Sequence, residues 1–168
     1  MASEYPVNTS QLIVTKTDTD GYIVHANDVF CEISGYSKNE LLNQNHNLVR
    51  HPDMPSIVFK LLWVKLLDGQ EVYAFVKNLR KDGRYYWVFA NVKPTTNKYG
   101  DIDGFISVRK AANKNAVAQI EKLYGELRSL ESPGRYGDAA VKLKELLEKS
   151  GIKYNDLIKK LQKGAKLL

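Results

Sequence analysis

Most of the side chains that could do chemistry lie in one loop, residues 43–55. It reads NQNHNLVRHPDMP and contains two imidazoles, one guanidinium and one carboxylate, those of His46, His51, Arg50 and Asp53. A guanidinium binds anions, and an imidazole can hydrogen-bond a ligand or coordinate iron. Loops with several specific polar residue types carry function more often than packing. The loop therefore predicts a binding site, with the alternative that Arg50 and Asp53 only pair with each other.

A second candidate is Asn78, an amide at the end of an otherwise apolar strand face. Period-two alternation places it on one face with Val72, Ala74 and Val76. The matching face of the next strand is formed by Tyr86, Val88, Ala90 and Val92. A buried amide must be hydrogen-bonded, and either a ligand edge or the backbone can supply the partner. Trp87 is predicted to face away from the ligand.

The elements that position these residues alternate between strands and short helices. Two β-branched segments joined by DTDG predict a hairpin over residues 11–25. Asn27 or Asp28 and Ser37 are typical N-caps for two short helices, and a longer apolar helix follows Pro55. Three further strands end near residue 110. The order predicts an α+β fold with a five-stranded antiparallel sheet and helices on one face.

After residue 110 the pattern is helical only. The apolar residues of the first helix are spaced by three and four over two heptads: Ala116, Ile120, Leu123, Leu127 and Leu130. This spacing indicates either a helix packed on its own domain or a dimer contact. A break is predicted at residues 132–138, followed by helices at 138–149 and 155–168.

Composition narrows the function classes. The chain has 168 residues, 43% hydrophobic and 26% charged, which is typical of a soluble globular protein. The net charge of +6 divides into +1 for residues 1–112 and +5 for residues 113–168, where lysines follow helical spacing, so nucleic-acid binding is not favoured. The only cysteine, Cys31, and the absence of a signal or membrane-spanning segment favour a cytoplasmic protein. Catalytic motifs are absent, so we expect no enzyme.

Several motifs together carry a family resemblance. HAND at 25–28, SGY at 34–36, NHNLVRHPDMP at 45–55, VKNLRKDG at 76–83, YWVFANVKP at 86–94 and GFISVR at 104–109 resemble the FAD-binding PAS domains of Aer/CetB-type energy-taxis sensors. The resemblance covers roughly residues 8–110. It implies a PAS sensor domain at residues 11–110, preceded by a tail at 1–10 and followed by a helical segment at 111–168.

The resemblance also implies a cofactor and its contacts. FAD needs aromatic walls, polar amides and a cation for its diphosphate. Arg50, His51 and Asp53 stand at family positions that matter for cofactor binding, and Asn27 stands near sensitive ones. Similar blue-light flavoproteins place flavin-contacting amides at the positions of Asn78 and Arg109. The alternative for Arg109 is a side chain that points outward beside Lys110. His46 is a further candidate contact, and Trp63 either stacks on the cofactor or packs in the core, which is the commoner case.

The expected function is a cytoplasmic redox or oxygen sensor. FAD reduction would reorient Asn78 and Arg109, and protein–protein contact would pass the change to the cytoplasmic segment of a membrane-bound chemotaxis receptor. A homodimer through the 116–130 seam or the outer sheet face is a further expectation. Two alternatives remain open, a haem b sensor with His46 or His51 as the iron ligand, and a cofactor-free interaction module.

Overall fold

A five-stranded antiparallel sheet organises the chain. The computed structural model describes residues 2–131 and 136–167. The strands are β1 (Ile13–Thr17), β2 (Ile23–Ala26), β3 (Val72–Leu79), β4 (Tyr85–Thr96) and β5 (Ile102–Ala111). They pair in the order β2-β1-β5-β4-β3. The α+β class and the antiparallel sheet predicted from the sequence are confirmed.

Two groups of helices flank the sheet. Between β2 and β3 lie α1 (Asp28–Ser34), α2 (Lys38–Leu41), a short 3-10 helix (His46–Val49) and α3 (Ser56–Leu67). After β5 follow α4 (Lys114–Glu131), α5 (Tyr136–Ser150) and α6 (Tyr154–Gln162). The predicted N-caps are confirmed, because the Asn27 side chain accepts from the Phe30 N–H and Ser37 accepts from the Glu40 N–H.

The register of β3 and β4 decides which residues share the inner face. The cross-strand pairs are Val72 with Val92, Ala74 with Ala90, Val76 with Val88, and Asn78 with Tyr86. The predicted inner face is therefore confirmed. Alternation places Phe75, Trp87 and Phe89 on the opposite, outer face. Trp87 faces away from the inner side, as predicted.

The C-terminal helices cover the outer face of β3 and β4. The Tyr124 hydroxyl of α4 donates to the Phe75 carbonyl oxygen at 2.7 Å, and the rings of Trp87 and Tyr124 lie 6.2 Å apart. Ala116, Ile120, Leu123 and Leu127 are buried in this contact, and Leu130 packs against it. The seam therefore belongs to a helix packed on its own domain, and the dimer contact expected there is wrong because these side chains are already covered.

The remaining surfaces are exposed to different degrees. On the β1, β2 and β5 side of the sheet, Leu12, Val24 and Val108 are exposed. At the N-terminus the Tyr5 N–H donates to the Tyr85 carbonyl oxygen at 2.7 Å, which fastens this segment to the start of β4.

Part of the predicted break, residues 132–135, lies outside the described residues. Among the described helices, no segment combines the length and apolarity needed to cross a bilayer.

Candidate functional site

A cavity of about 370 Å³ lies between α3 and the inner face of the sheet. The apolar walls come from the inner residues of β3 and β4 and from four residues of α3: Phe59, Leu62, Trp63 and Leu66. Its volume lies at the lower end of the range for small-molecule sites. Small inner residues such as Ala74 and Ala90 leave the space that larger side chains would fill. The lining therefore favours an apolar group in this part of the cavity.

Three buried polar groups at the inner face lack hydrogen-bond partners within the described chain. They are the Asn78 Nδ2, the Arg109 Nε and the Tyr86 hydroxyl, on side chains no more than 3% exposed. Asn78 and Arg109 line the cavity, and burial raises the pKa of Tyr86 to about 12. An unpartnered buried polar group costs on the order of 1–3 kcal/mol. Asn78 and Arg109 therefore indicate a ligand that brings acceptors to this end of the cavity.

Arg109 belongs to a polar chain with Thr15 and His46. The Arg109 Nη2 donates to the Thr15 Oγ1 at 2.7 Å, and the His46 Nε2 lies 3.1 Å from the same oxygen. Burial, with a smaller contribution from Arg109, lowers the pKa of His46 to about 3, so its ring is neutral at pH 7. The Thr15 hydroxyl can therefore donate to Nε2 while it accepts from Arg109.

Arg109 remains a cation although it is buried. Burial lowers its pKa to about 10, which leaves it protonated at neutral pH. Its guanidinium carbon lies 4.9 Å from the centre of the Phe30 ring, and its hydrogen-bond partner is the neutral Thr15. A buried cation with no carboxylate partner among the residues that the structure describes favours an electron-rich or anionic group nearby.

The rim of the cavity is polar and is held together by backbone contacts. It is lined by Asp20, Gly21, Asn45, Asn47 and Arg50. The His46 N–H donates to the Gly21 carbonyl oxygen at 2.9 Å, which joins the first hairpin turn to the binding loop. Arg50 reaches this rim with its guanidinium 4.2 Å from the Phe59 ring centre, and its Nη2 donates to the Ser56 Oγ at 3.3 Å.

His51 and Asp53 lie outside the cavity lining. The Lys77 Nζ donates to the Asp53 Oδ2 at 2.7 Å, and the Arg128 Nη1 of α4 donates to the Oδ1 at 3.2 Å. The His51 Nδ1 accepts from the Asp53 N–H at 2.9 Å. The alternative pairing of Arg50 with Asp53 is wrong, because Asp53 binds Lys77 and Arg128 instead.

The pKa values of this outer cluster follow its charges. The hydrogen bond from Lys77 lowers the pKa of Asp53, and burial followed by Lys77 lowers the pKa of His51. The cluster connects the loop to β3 and to α4. His51 and Asp53 are placed to shape the loop that carries Arg50, and direct ligand contact would need a group outside the cavity.

Trp63 and Asn27 occupy different surroundings from each other. Trp63 lines the cavity and packs on Phe105 at 5.1 Å between ring centres, yet 40% of its surface is exposed. The expectation of a core tryptophan is therefore wrong.

Asn27 lies away from the cavity. Its Oδ1 accepts from the Val14 N–H at 3.1 Å, and its Nδ2 donates to the Leu12 carbonyl oxygen at 2.9 Å. These bonds join α1 to β1.

Thr15 and Ser107 also line the cavity and were not among the predicted site residues. Both are polar residues on inward strand positions and face each other across β1 and β5. Thr15 alternates with the buried Ile13, so its inward direction could have been read from the period-two pattern. The part of α4 that contacts the loop was also missed, since residues so far apart along the chain give no local signal.

Family comparison agrees with this fold. The sequence profile of the PAS fold family matches residues 23–109, more than half of the chain. The chain therefore belongs to the PAS fold family.

Two relatives come from bacterial signalling and regulation. The aerotaxis receptor of Escherichia coli (strain K12) is 42% identical over 124 residues, which cover 74% of this chain and 24% of the receptor. A nitrogen fixation regulatory protein of Klebsiella oxytoca is 30% identical over 104 residues, 62% of this chain and 21% of that protein. The chain thus matches about a quarter or less of the length of these relatives.

Two solved structures share the fold at lower identity. A light-oxygen-voltage domain from a study of a flavin analogue superposes with a TM-score of 0.60 and 21% identity, covering 68% of this chain and 87% of that chain. The light-state Aureochrome1 light-oxygen-voltage domain gives a TM-score of 0.58 and 23% identity, with 71% and 93% covered. At this identity the likeness concerns the fold.

Proposed function

We propose that this chain is a flavin-binding redox or oxygen sensor that holds FAD in the cavity behind α3. The observation that carries the proposal is the pair of unpartnered buried donors, the Asn78 Nδ2 and the Arg109 Nε, at the end of an apolar cavity. A flavin ring is flat and apolar and has carbonyl and nitrogen acceptors along one edge. The 42% identity to an aerotaxis receptor and the fold shared with light-oxygen-voltage flavin domains support the same group.

The residues present fit this cofactor. The apolar walls match the ring, Asn78 and Arg109 match its polar edge, and Arg50 at the rim provides a cation for a diphosphate. The diphosphate and adenine would extend past the rim, since the cavity has room for the ring system rather than for the whole molecule.

The mechanism rests on how the cavity residues respond to charge. FAD, when bound, supplies a group that takes up electrons and protons. Arg109 is a fixed cation, and its neighbour Thr15 can exchange hydrogen bonds between Arg109 and His46. Asn78 can offer either its amide nitrogen or its oxygen by rotating its side chain. A change of charge in the cavity would therefore shift these three side chains and the strands that carry them.

The signal has a short path to the C-terminal helices. Arg50 hydrogen-bonds Ser56, the Ser56 N–H donates to the Glu131 Oε2 of α4 at 3.0 Å, and Asp53 binds Arg128 of the same helix. A movement of the rim would therefore shift α4. We infer that the output is contact with the cytoplasmic segment of a membrane-bound chemotaxis receptor, which places the protein in the cytoplasm. Crosslinking to membranes that contain or lack the receptor tests this step.

The haem alternative is less well supported. His46 packs on Phe30 with ring centres 5.6 Å apart and places its Nε2 beside Thr15, so the nitrogen is already used. His51 lies outside the cavity lining. In the cofactor-free alternative, the buried Arg109 Nε and Asn78 Nδ2 have no partner in the described part of the chain, which is energetically unfavourable.

The decisive experiment is an absorbance spectrum of the freshly purified protein, with anaerobic reduction and identification of the released cofactor. Two flavin bands that bleach on reduction, with FAD released by heat, support the proposal. A sharp Soret band would replace it with a haem sensor, and a spectrum without cofactor bands after reconstitution with FAD would contradict it.

Two variants test the assigned contacts. We expect Asn78→Ala to lower flavin retention or alter the redox response. Asn91→Ala is the matched control, because Asn91 is an amide on the outer face of β4.

Arg50→Ala should lower FAD retention about tenfold or more, corresponding to one charge-assisted hydrogen bond. Full retention in the Arg50 variant would move the diphosphate site elsewhere.

A further inference from the structure

Helix α3 has an exposed apolar stripe at the edge of the cavity. Trp63, Val64 and Leu67 are 40%, 61% and 55% exposed, while Leu62 and Leu66 on the opposite side line the cavity. Positions three and four apart lie on the same helix face, so these side chains form one stripe. A helix that is apolar on all sides is normally covered on all sides. The stripe therefore indicates a contact surface.

Opposite charges lie at the two ends of this stripe. Lys60 and Asp68 are both exposed, and each lies four residues from Val64, Lys60 towards the N-terminus and Asp68 towards the C-terminus. Lys60 forms no ion pair with any residue the structure describes, and Asp68 accepts a hydrogen bond only from the neighbouring Gln70, at 2.8 Å, within that same part of the chain. The stripe thus has a basic end, an apolar middle and an acidic end.

We propose that the α3 stripe, defined by Lys60, Trp63, Val64, Leu67 and Asp68, is a homodimer surface. If a second copy packs antiparallel across a two-fold axis at Val64, each Lys60 faces the partner's Asp68. The apolar residues then face each other in the middle. Such a surface is self-complementary, as a two-fold interface requires. This charge pattern selects a second copy over an unrelated partner, because one surface supplies both halves of both ion pairs.

The small size of the α3 stripe predicts weak dimerisation. Stable interfaces bury roughly 1,600 Å² in total, and three apolar side chains per protomer fall well below that. We therefore expect a reversible dimer whose dissociation constant is in the micromolar range or above. Because Trp63 belongs to both the stripe and the cavity lining, the dimer contact borders the candidate ligand site.

Sedimentation analysis of the full chain, from low micromolar to about 1 mM, tests the proposal. We expect concentration-dependent dimerisation of the wild type and at least tenfold weaker association of Val64→Lys. Val141→Lys is the matched control, since Val141 is 54% exposed but lies on α5. Circular dichroism verifies that each variant is folded. A wild type that stays monomeric throughout, or an unchanged dimer in Val64→Lys, would overturn the proposal.

Charge reversal separates a second copy from any other partner. Lys60→Glu alone and Asp68→Lys alone should each weaken dimerisation, because each places like charges together. The double variant restores both opposite pairs and should dimerise like the wild type. Failure of the double variant to recover would contradict the antiparallel arrangement. The substituted residues Lys60, Val64 and Asp68 do not line the cavity. Sedimentation of protein with and without bound FAD therefore tests the dimer separately from the flavin proposal.

Discussion

At the scale of single residues, the site combines groups whose charge is set by burial. His46 is neutral and Arg109 is charged although both lie at the cavity, and Thr15 connects them. The low pKa of His46 has a consequence for stability. Between its usual pKa of 6.5 and its folded value of about 3, the unfolded chain binds a proton that the folded chain does not.

We therefore predict that His46 lowers the free energy of unfolding as the pH falls below about 6.5. The slope contributed by one proton is at most about 1.4 kcal/mol per pH unit, and above pH 6.5 the contribution disappears. Urea unfolding of the wild type and His46→Gln at a series of pH values measures this difference. His25→Gln, at an exposed position, is the control. Parallel pH profiles for the wild type and His46→Gln would contradict the prediction.

Asp53 is predicted to stabilise the loop through Lys77. Only 8% of the Lys77 side chain is exposed, so Asp53→Ala leaves a nearly buried cation without its carboxylate partner. We expect a loss of about 1 kcal/mol, the low end for such a group, since 41% of the Asp53 side chain is exposed and solvent screens the pair.

A double-mutant cycle measures the Asp53 contribution. In a Lys77→Met background, Asp53→Ala should cost much less, because the buried charge is already gone. Equal costs in both backgrounds, determined by chemical unfolding, would show that Asp53 does not act through Lys77.

At the scale of elements, α3 depends on a residue far along the chain. Its N-terminus has no side-chain cap of its own, and the Glu131 carboxylate of α4 accepts from the Ser56 and Ile57 N–H groups at 3.0 and 2.6 Å. The carboxylate satisfies free N–H groups and interacts favourably with the helix dipole. This contact joins the end of α4 to the start of the helix that covers the cavity.

Glu131→Ala is predicted to destabilise the protein by about 1 kcal/mol, the typical cost of losing an N-cap. The variant should also increase amide hydrogen exchange in the first turn of α3. Glu126→Ala is the matched control, because Glu126 is an exposed residue of α4 that pairs with Lys142 of α5. If both variants lose the same stability and leave α3 exchange unchanged, Glu131 is not the cap.

At the scale of the whole molecule, the C-terminal helices complete the core rather than extend from it. Leu127 of α4 and Leu161 of α6 are fully buried in one cluster with Phe75, Trp87 and Phe89 of the sheet. The cavity-forming helices thus lie on one face of the sheet, and α4, α5 and α6 cover the β3 and β4 part of the other face. Removal of the C-terminal helices would expose a large apolar area.

A chain truncated after residue 112 is therefore predicted to lose cooperative unfolding and to bind a hydrophobic dye. Exposure of a cluster of aromatic side chains exceeds the apolar patches that monomeric proteins tolerate. Thermal unfolding, dye binding and tryptophan emission, which should shift to the red as Trp87 meets water, measure the effect. A monomeric truncated chain that melts like the full chain would show that the helices are an independent segment.

Local sequence patterns determined the strands, the caps of α1 and α2, and the inner face that ends at Asn78. These features depend on period-two alternation and on residues a few positions apart, which the sequence displays directly. The tertiary structure decided the direction of Arg109, the exposure of Trp63, the partners of Asp53 and the covering of the outer sheet face. Each depends on contacts between residues distant along the chain, such as Thr15 with Arg109 and Ser56 with Glu131. Only the packing of the elements brings these residues together, so no local pattern could have predicted them.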